Sequence, residues 1–309
     1  MPKTQFNSQI EEYLLDLLWS LWAELGISGW TQNHKDWWID PEALLLLTAP
    51  YADLDPRLRD EAIEWSIHNA RFLSAGRFKN LLRKMPSFEE ALQGPSAQRF
   101  LGEIKLNTQL NFPSNLKKAK IQLRRSSSTI DLERPGNLSL RLRSLFGVGT
   151  RAEILRVFLL GSSEGYSASH LLERGVGYSK RGVQTALEEL SMGSFLSQEK
   201  IGNSLAFRLK KDVLPKLFLD QRPSIRPNWY PLIEILSLIP KIQISKKPKR
   251  KVDVILLRAD MNPIIPLVKK AKLSFFPYIG KESDVWNSFQ KWSLKLFEDI
   301  SKGKAPSLA

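Results

Sequence analysis

The strongest constraint on the fold lies in residues 147–211, where three helical patterns are followed by two short strand patterns. In the third helical pattern, apolar residues recur at the i, i+3, i+4 and i+7 spacing of an amphipathic helix. These residues are Val183, Ala186, Leu187 and Leu190. Gly175 and Gly177 precede this helix and predict a tight turn between it and the helix before it. The pattern therefore predicts three helices packed around one small core.

Hydroxyl side chains stand at the predicted start of each of these helices. Thr150 and Glu153 have the spacing of a capping box for the first helix, residues 151–160. Ser167 is placed to cap the second helix, and Ser179 to cap the third, residues 179–193. The caps agree with the apolar patterns on where each helix begins.

A β-hairpin is predicted directly after the third helix. Residues 195–200 and 205–210 form the two strands, and Gly202-Asn203 forms the turn between them. In the second strand, Leu205, Phe207 and Leu209 alternate with polar or small residues, so they are expected to face the core. The whole segment thus reads as three helices and a hairpin.

This arrangement resembles the winged helix-turn-helix domains of bacterial transcription regulators. The phrase Tyr178-Ser179-Lys180-Arg181-Gly182-Val183-Gln184 lies where those domains carry the start of the recognition helix. The resemblance covers about a fifth of the chain. It implies that the third helix enters the major groove of duplex DNA, and that the hairpin, the wing, lies against the DNA backbone.

The outward residues of the third helix and the hairpin are small, polar or basic, as a groove-binding surface requires. Lysine and arginine neutralise phosphates, while arginine and glutamine also hydrogen-bond to base edges. The predicted DNA-binding residues are Ser179, Lys180, Arg181, Gln184, Thr185, Lys200, Asn203, Arg208 and Lys210.

The charge of the chain is distributed unevenly. Residues 1–100 hold 10 basic and 14 acidic side chains, which leaves 36 of the 46 basic and 18 of the 32 acidic side chains to the rest. A mildly acidic front third and a strongly basic remainder suggest a polyanionic partner for the basic part. A generally basic proteome is the alternative explanation of this charge.

The segments on either side predict a mainly α, multi-domain protein with four parts. Residues 1–110 read as an all-α, tryptophan-rich domain, and residues 111–145 as a basic linker. Residues 146–220 hold the winged helix-turn-helix. Residues 221–309 read as a small, basic α/β or α+β domain with strands near 252–257 and 273–278. The tryptophan-rich domain and the amphipathic last helix are the candidate surfaces for a homodimer.

Few residues of the chain suit catalysis. There is no cysteine, and the three histidines, His34, His68 and His170, are far apart in the sequence. Asp53 and Asp55 form an isolated Asp-x-Asp, but Asp55 is also explained as a helix N-cap before Pro56. We expect no enzymatic activity, no catalytic residues, no metal site and no cofactor.

These observations favour a sequence-specific, double-stranded DNA-binding transcriptional regulator in the cytoplasm, acting as a homodimer. One alternative is an antitoxin, or a regulatory subunit of a toxin–antitoxin or phage-defence system, which also binds a protein partner through its N-terminal domain. The arrangement of the chain is similar to that of some such antitoxins. Another alternative is a scaffold that uses the winged helix for protein contacts. The longest apolar run, residues 43–47, predicts no membrane span.

Overall fold

A computed structural model describes residues 3–29, 32–118, 130–161, 165–201, 204–213, 218, 221–242, 259–273 and 285–305. The described chain is mainly helical, as the sequence predicts. Its α-helices are α1 (Lys3–Glu24), α2 (Pro41–Thr48), α3 (Pro56–His68), α4 (Ala75–Leu82), α5 (Pro86–Ala91), α6 (Pro95–Asn107), α7 (Leu138–Phe146), α8 (Thr150–Leu160), α9 (Ala168–Glu173), α10 (Lys180–Met192), α11 (Trp229–Leu238), α12 (Ile264–Ala271) and α13 (Val285–Ser301). Two strands, β1 (Leu196–Ile201) and β2 (Ser204–Leu209), form an antiparallel hairpin.

Two helices of the first hundred residues begin at an Asp-Pro pair, for which the sequence predicts the aspartate, Asp40 or Asp55, as N-cap and the proline at the first helical position. The carboxylate of Asp40 accepts a hydrogen bond from the backbone N–H of Ala43 at 3.2 Å. That of Asp55 accepts from the N–H groups of Arg57 and Leu58 at 2.8 and 3.2 Å. Both predicted N-caps are therefore confirmed. The second cap occupies Asp55, while Asp53 pairs with Arg59 at 2.9 Å.

Helices from both ends of the chain share one hydrophobic core. The buried side chains of α1–α6 are continuous with those of α11–α13. Helix α13 packs along α1, and the rings of Phe6 and Trp286 meet edge to face with centroids 5.8 Å apart. The tryptophan-rich segment and the last helix therefore cover each other within one chain. Their surplus of large apolar residues is explained by this packing, and a homodimer formed through them stays a prediction.

His34 joins the two ends of this shared core. Its Nε2 donates to the carbonyl of Ile300 at 2.8 Å, and its Nδ1 accepts from the hydroxyl of Ser20 at 2.7 Å. The ring is fully buried. Burial lowers the pKa of His34 from 6.5 to about 4, although the backbone hydrogen bond to Ile300 acts in the opposite direction. The folded protein therefore holds this histidine neutral.

This low pKa predicts a loss of stability in mild acid. Between the unfolded pKa of 6.5 and the folded value near 4, the unfolded chain binds a proton that the folded chain does not. The free energy of unfolding should therefore fall by about 2 kcal/mol between pH 7 and pH 5 from this group alone. Urea titrations at several pH values should show a flatter dependence for His34→Gln. His170→Gln, which changes an exposed histidine, should keep the slope of the natural sequence. An unchanged slope in His34→Gln would contradict this assignment.

The segment predicted as a basic linker ends in a helix. Helix α7 spans Leu138–Phe146, within and just beyond residues 111–145. Leu140 is buried in the first core, whereas Leu138 and Leu142 are buried in a second core, formed with α8–α10 and the hairpin. The apolar side chains of this short helix pack into both cores. The end of the predicted linker is therefore a packed helix of the folded structure.

The second core follows the predicted apolar pattern. Val183, Ala186, Leu187 and Leu190 of α10 are all buried in it, together with residues of α8 and α9. The hairpin closes this core through Leu196 and Phe207. In the register of the hairpin, Leu196 lies opposite Leu209, and Phe207 lies opposite Gln198. The predicted strand at 252–257 lies outside the described residues, and so does the one at 273–278 beyond Leu273. No helix in the described ranges is long and apolar enough to cross a membrane.

Candidate nucleic-acid interface

Helix α10 has the cap and the buried face that the sequence predicts. The hydroxyl of Ser179 accepts a hydrogen bond from the backbone N–H of Gly182 at 3.1 Å. The four apolar residues of the inner face are buried, so the opposite face is turned to solvent. The helix therefore begins at Lys180, and its first turn is exposed at the surface.

The exposed face of α10 carries most of the predicted contact residues. Lys180, Arg181 and Thr185 are exposed, and no described residue forms an ion pair or a hydrogen bond with the side chain of Lys180 or Arg181. Gln184 is half-buried, and its Nε2 donates to Glu188 at 2.9 Å. The two cations are thus free to meet a ligand, whereas Gln184 must give up its present partner to hydrogen-bond to a base.

The start of α8 lies beside the start of α10. Thr150 and Arg151 line one groove together with Arg181 and Thr185. The N-cap of α8 is Gly149, and no side chain caps this helix end. The first backbone N–H groups of α8 are therefore available to an anion such as a phosphate. The exposed pair of Arg151 with Glu189, at 2.7 Å, joins the two helices across this groove.

The predicted cations of the hairpin differ in exposure and in ion pairing. Lys200 is exposed and Lys210 is half-buried. Arg208 forms an exposed ion pair with Glu199 on the neighbouring strand at 3.2 Å. Asn203, at the predicted turn, lies outside the described residues. The hairpin therefore offers two cations that no described residue pairs with, and one that is already paired.

One residue of the second strand is exposed where the sequence predicts a core-facing side chain. Leu205 is 39% exposed, whereas Ala206 beside it is buried. Tyr166 pairs with Phe207 on the outer edge of β2, with N–H···O distances of 2.9 and 3.0 Å. Gly165 then packs against Ala206. This added edge covers Ala206, while Leu205 lies near the tip of the hairpin, beyond the helices.

The turn between α9 and α10 depends on its two glycines. Gly175 and Gly177 have φ values of +75° and +77°, which favour glycine. A Cβ atom at residue 175 would also lie 2.0 Å from Cε2 of Tyr230. The predicted tight turn is confirmed, and its backbone makes a close contact that the sequence pattern does not reveal.

Helix α4 holds this turn from outside the second core. The guanidinium of Arg77 donates to the carbonyls of Val176 and Gly175 at 3.2 and 3.1 Å. Asn80 donates to the carbonyl of Gly177 at 3.1 Å, and Lys84 to that of Leu172 at 3.2 Å. Since four carbonyls of α9 and the turn accept bonds from α4 and from Lys84 just after it, the orientation of α10 is fixed relative to the helical core.

A buried cluster of charges connects the two cores at this point. It consists of three arginines and three carboxylates from α2, its N-cap, α4, α7 and α8, namely Arg77, Arg143, Arg156, Asp40, Glu42 and Glu153. We call this set the arginine cluster. Arg143 makes a two-point contact with Glu42 at 2.8 and 2.7 Å and also reaches Glu153 at 2.7 Å. The cluster is buried, and its formal charges balance.

Glu153 lies at the centre of the arginine cluster, so its predicted role in a capping box is wrong. Its two oxygens accept from Arg143 and from Arg156, the latter at 2.8 Å. Burial alone would raise the pKa of Glu153, but the nearby guanidinium groups of Arg77, Arg143 and Arg156 hold it well below its usual value. The helix N-terminus cannot compete with three arginines for this carboxylate.

Asp40 has a second role beyond its N-cap. Both of its oxygens accept from Arg77, at 2.8 and 2.6 Å. Burial would raise the pKa of Asp40, but the charge and hydrogen bonds of Arg77 keep it far below its usual value. Within the arginine cluster, only Glu153 and Arg156 have the i, i+3 spacing of a helical ion pair. The pair of Asp40 and Arg77 joins residues that are far apart in the sequence, so no local pattern predicts it.

In the described ranges, no group of three histidine or acidic side chains is placed to hold a metal ion. No family model, curated protein or solved structure matches this chain. The functional argument therefore depends on the residues and on the geometry just described.

Proposed function

We propose that this chain binds double-stranded DNA sequence-specifically and regulates transcription. Helices α8–α10 and the β1–β2 hairpin would act as a winged helix-turn-helix, with the start of α10 in the major groove. The observation that carries this proposal is the first turn of α10, where Lys180 and Arg181 are exposed and lack a described partner. Thr185 follows one turn later on the same exposed surface.

The surroundings of α10 support an anionic partner. The uncapped start of α8 lies in the same groove as Arg181. Arg83 and Lys84, at the end of α4, add two exposed cations near the turn that α4 holds. Phosphate contacts of this kind fix the register of a protein on the duplex, while the groove-facing side chains read the bases. A homodimer would present two such helices to half-sites about one helical turn apart.

A double variant of the first turn tests this proposal. Lys180→Ala with Arg181→Ala should weaken duplex binding by at least about tenfold, because both phosphate and base contacts are lost. Both side chains are exposed, so the thermal unfolding midpoint should not change. Affinity is measured by fluorescence anisotropy on duplexes selected from sheared genomic DNA.

The matched control removes the same charge elsewhere. Lys269 and Lys291 are exposed on α12 and α13, and Lys269→Ala with Lys291→Ala should bind the selected duplex nearly as the natural sequence does. Equal affinities of the two double variants would exclude α10 as the contact surface. Binding of duplex RNA as tightly as DNA would also contradict the proposal, because the deep, narrow major groove of RNA does not admit a helix.

A further inference from the structure

A cavity of about 500 Å³ lies at the end of α8, whereas the α10 groove lies at its start. The end of α8, the end of α9, residues 224–230 and the end of α12 surround it. Its apolar lining comes from Trp38, Val157, Leu160, Ile225, Pro227 and Trp229. A cavity of this size with a mostly apolar floor is typical of sites for small organic ligands.

Four cations surround the opening of this cavity. They are Arg174, Arg226, Lys270 and Lys272, all of them exposed. None of them forms an ion pair with a carboxylate in the described part of the chain, although Glu173 also lies at the rim. Partial burial and the nearby Arg222 lower the pKa of Arg226. The rim therefore has a net positive charge that an anion would neutralise.

The two arginines of the rim are held in place by backbone carbonyls and by a ring. Arg226 donates to the carbonyls of Leu160 and Pro223. The guanidinium of Arg174 lies 4.8 Å from the ring centre of Tyr166. Lys272 ends α12 with a φ of +55°, a conformation that a residue with a Cβ rarely adopts. Since the guanidinium groups of Arg174 and Arg226 are already ordered, they lose little conformational entropy when a ligand binds.

We propose that this cavity binds a small organic anion with a flat ring, the ring on the apolar floor and a phosphate or carboxylate at the cationic rim. The floor alone would suit any apolar molecule, and the rim alone any anion. The combination selects molecules that carry both parts. Nucleotides and aromatic carboxylates share this chemistry, and a direct measurement separates them. The proposal does not depend on DNA binding.

Isothermal titration of the full chain, without DNA, tests this site. ADP and 2-naphthoate represent the two sources of the ligand, and adenosine and pyrophosphate supply each half of ADP alone. We expect saturable binding of ADP or of 2-naphthoate, and much weaker binding of adenosine and pyrophosphate. Arg174→Gln with Lys270→Gln should lower the affinity for whichever anion binds by at least about tenfold, because two charge-assisted contacts are lost. Quenching of tryptophan emission gives a second readout, since Trp38 and Trp229 line the floor.

A double variant on α12 and α13 is the matched control for the rim variant. Lys269→Gln with Lys291→Gln removes the same charge outside the cavity and should leave binding unchanged. Failure of both ADP and 2-naphthoate to bind at millimolar concentration would overturn the proposal. Equal affinities of the two double variants for the anion would also overturn it. If ADP is the ligand, pyrophosphate binding as tightly as ADP would overturn it as well. A loss of duplex affinity in the rim variant, without any binding of a small anion, would assign these cations to DNA instead.

Discussion

Replacing Arg143 by methionine should lower the free energy of unfolding by about 3–5 kcal/mol. The guanidinium is buried and makes five hydrogen bonds, four of them to Glu42 and Glu153 and one to the carbonyl of Phe72. Methionine matches much of the length of arginine, but it carries no positive charge. The buried carboxylates of Glu42 and Glu153 would then lose part of the positive charge that balances them. An uncompensated buried charge costs far more than a lost surface contact.

The exposed pair of Arg151 and Glu189 provides the control. Its geometry is as short as that of the buried pairs, at 2.7 Å, but its side chains are 54% and 44% exposed. Arg151→Met should therefore change the free energy of unfolding far less than Arg143→Met does, because water screens an exposed ion pair. Urea denaturation of the two variants compares them directly. A loss below about 1 kcal/mol in Arg143→Met would show that the arginine cluster contributes little to stability.

The same experiment shows whether the two cores unfold together. The arginine cluster joins α2 and α4 of the first core to α8 of the second, because Arg77 pairs with both Glu42 and Glu153. Several tryptophans, including Trp22 and Trp65, are buried in the first core. Tryptophan emission should therefore follow the first core, while far-ultraviolet circular dichroism follows helices of both. Coincident transitions are expected for a single cooperative unit.

Features set by neighbouring residues were predictable from the sequence. The caps at Asp40, Asp55, Ser167 and Ser179 are confirmed, because each cap bonds to a backbone N–H two or three residues away. The hairpin forms within one residue of the predicted strands for the same reason. Local hydrogen bonds and apolar periodicity leave a direct trace in a single sequence.

Features set by distant residues were not predictable. Thr150 and Glu153 have the right spacing for a capping box, yet Glu153 is bound by Arg77, which is 76 positions away in the numbering of the chain. The spacing of two residues cannot report a partner that only the tertiary fold brings near. The clamp of α4 on the α9–α10 turn was missed for the same reason. An arginine among leucines, as in α7, and the i, i+3 spacing of Glu153 and Arg156 were the available signs of buried charge.

Duplex binding should weaken about 10³-fold when the salt concentration rises from about 50 to 200 mM. Six cations lie on or near the proposed surface without a described carboxylate partner: Lys180, Arg181, Lys200, Lys210, Arg83 and Lys84. If each neutralises one phosphate, the logarithm of the association constant falls with the logarithm of salt at a slope near −5. Arg208 is left out of this count because Glu199 already pairs with it.

The slope also separates the two readings of α10. Lys180→Ala with Arg181→Ala should reduce its magnitude by about 2, one for each lost phosphate contact. The control, Lys269→Ala with Lys291→Ala, should leave the slope unchanged, because those lysines lie on α12 and α13. A slope near zero for the natural sequence would mean that no counterions are released. The exposed face of α10 would then fit contact with a protein better than contact with DNA, since phosphate contacts are inseparable from salt dependence.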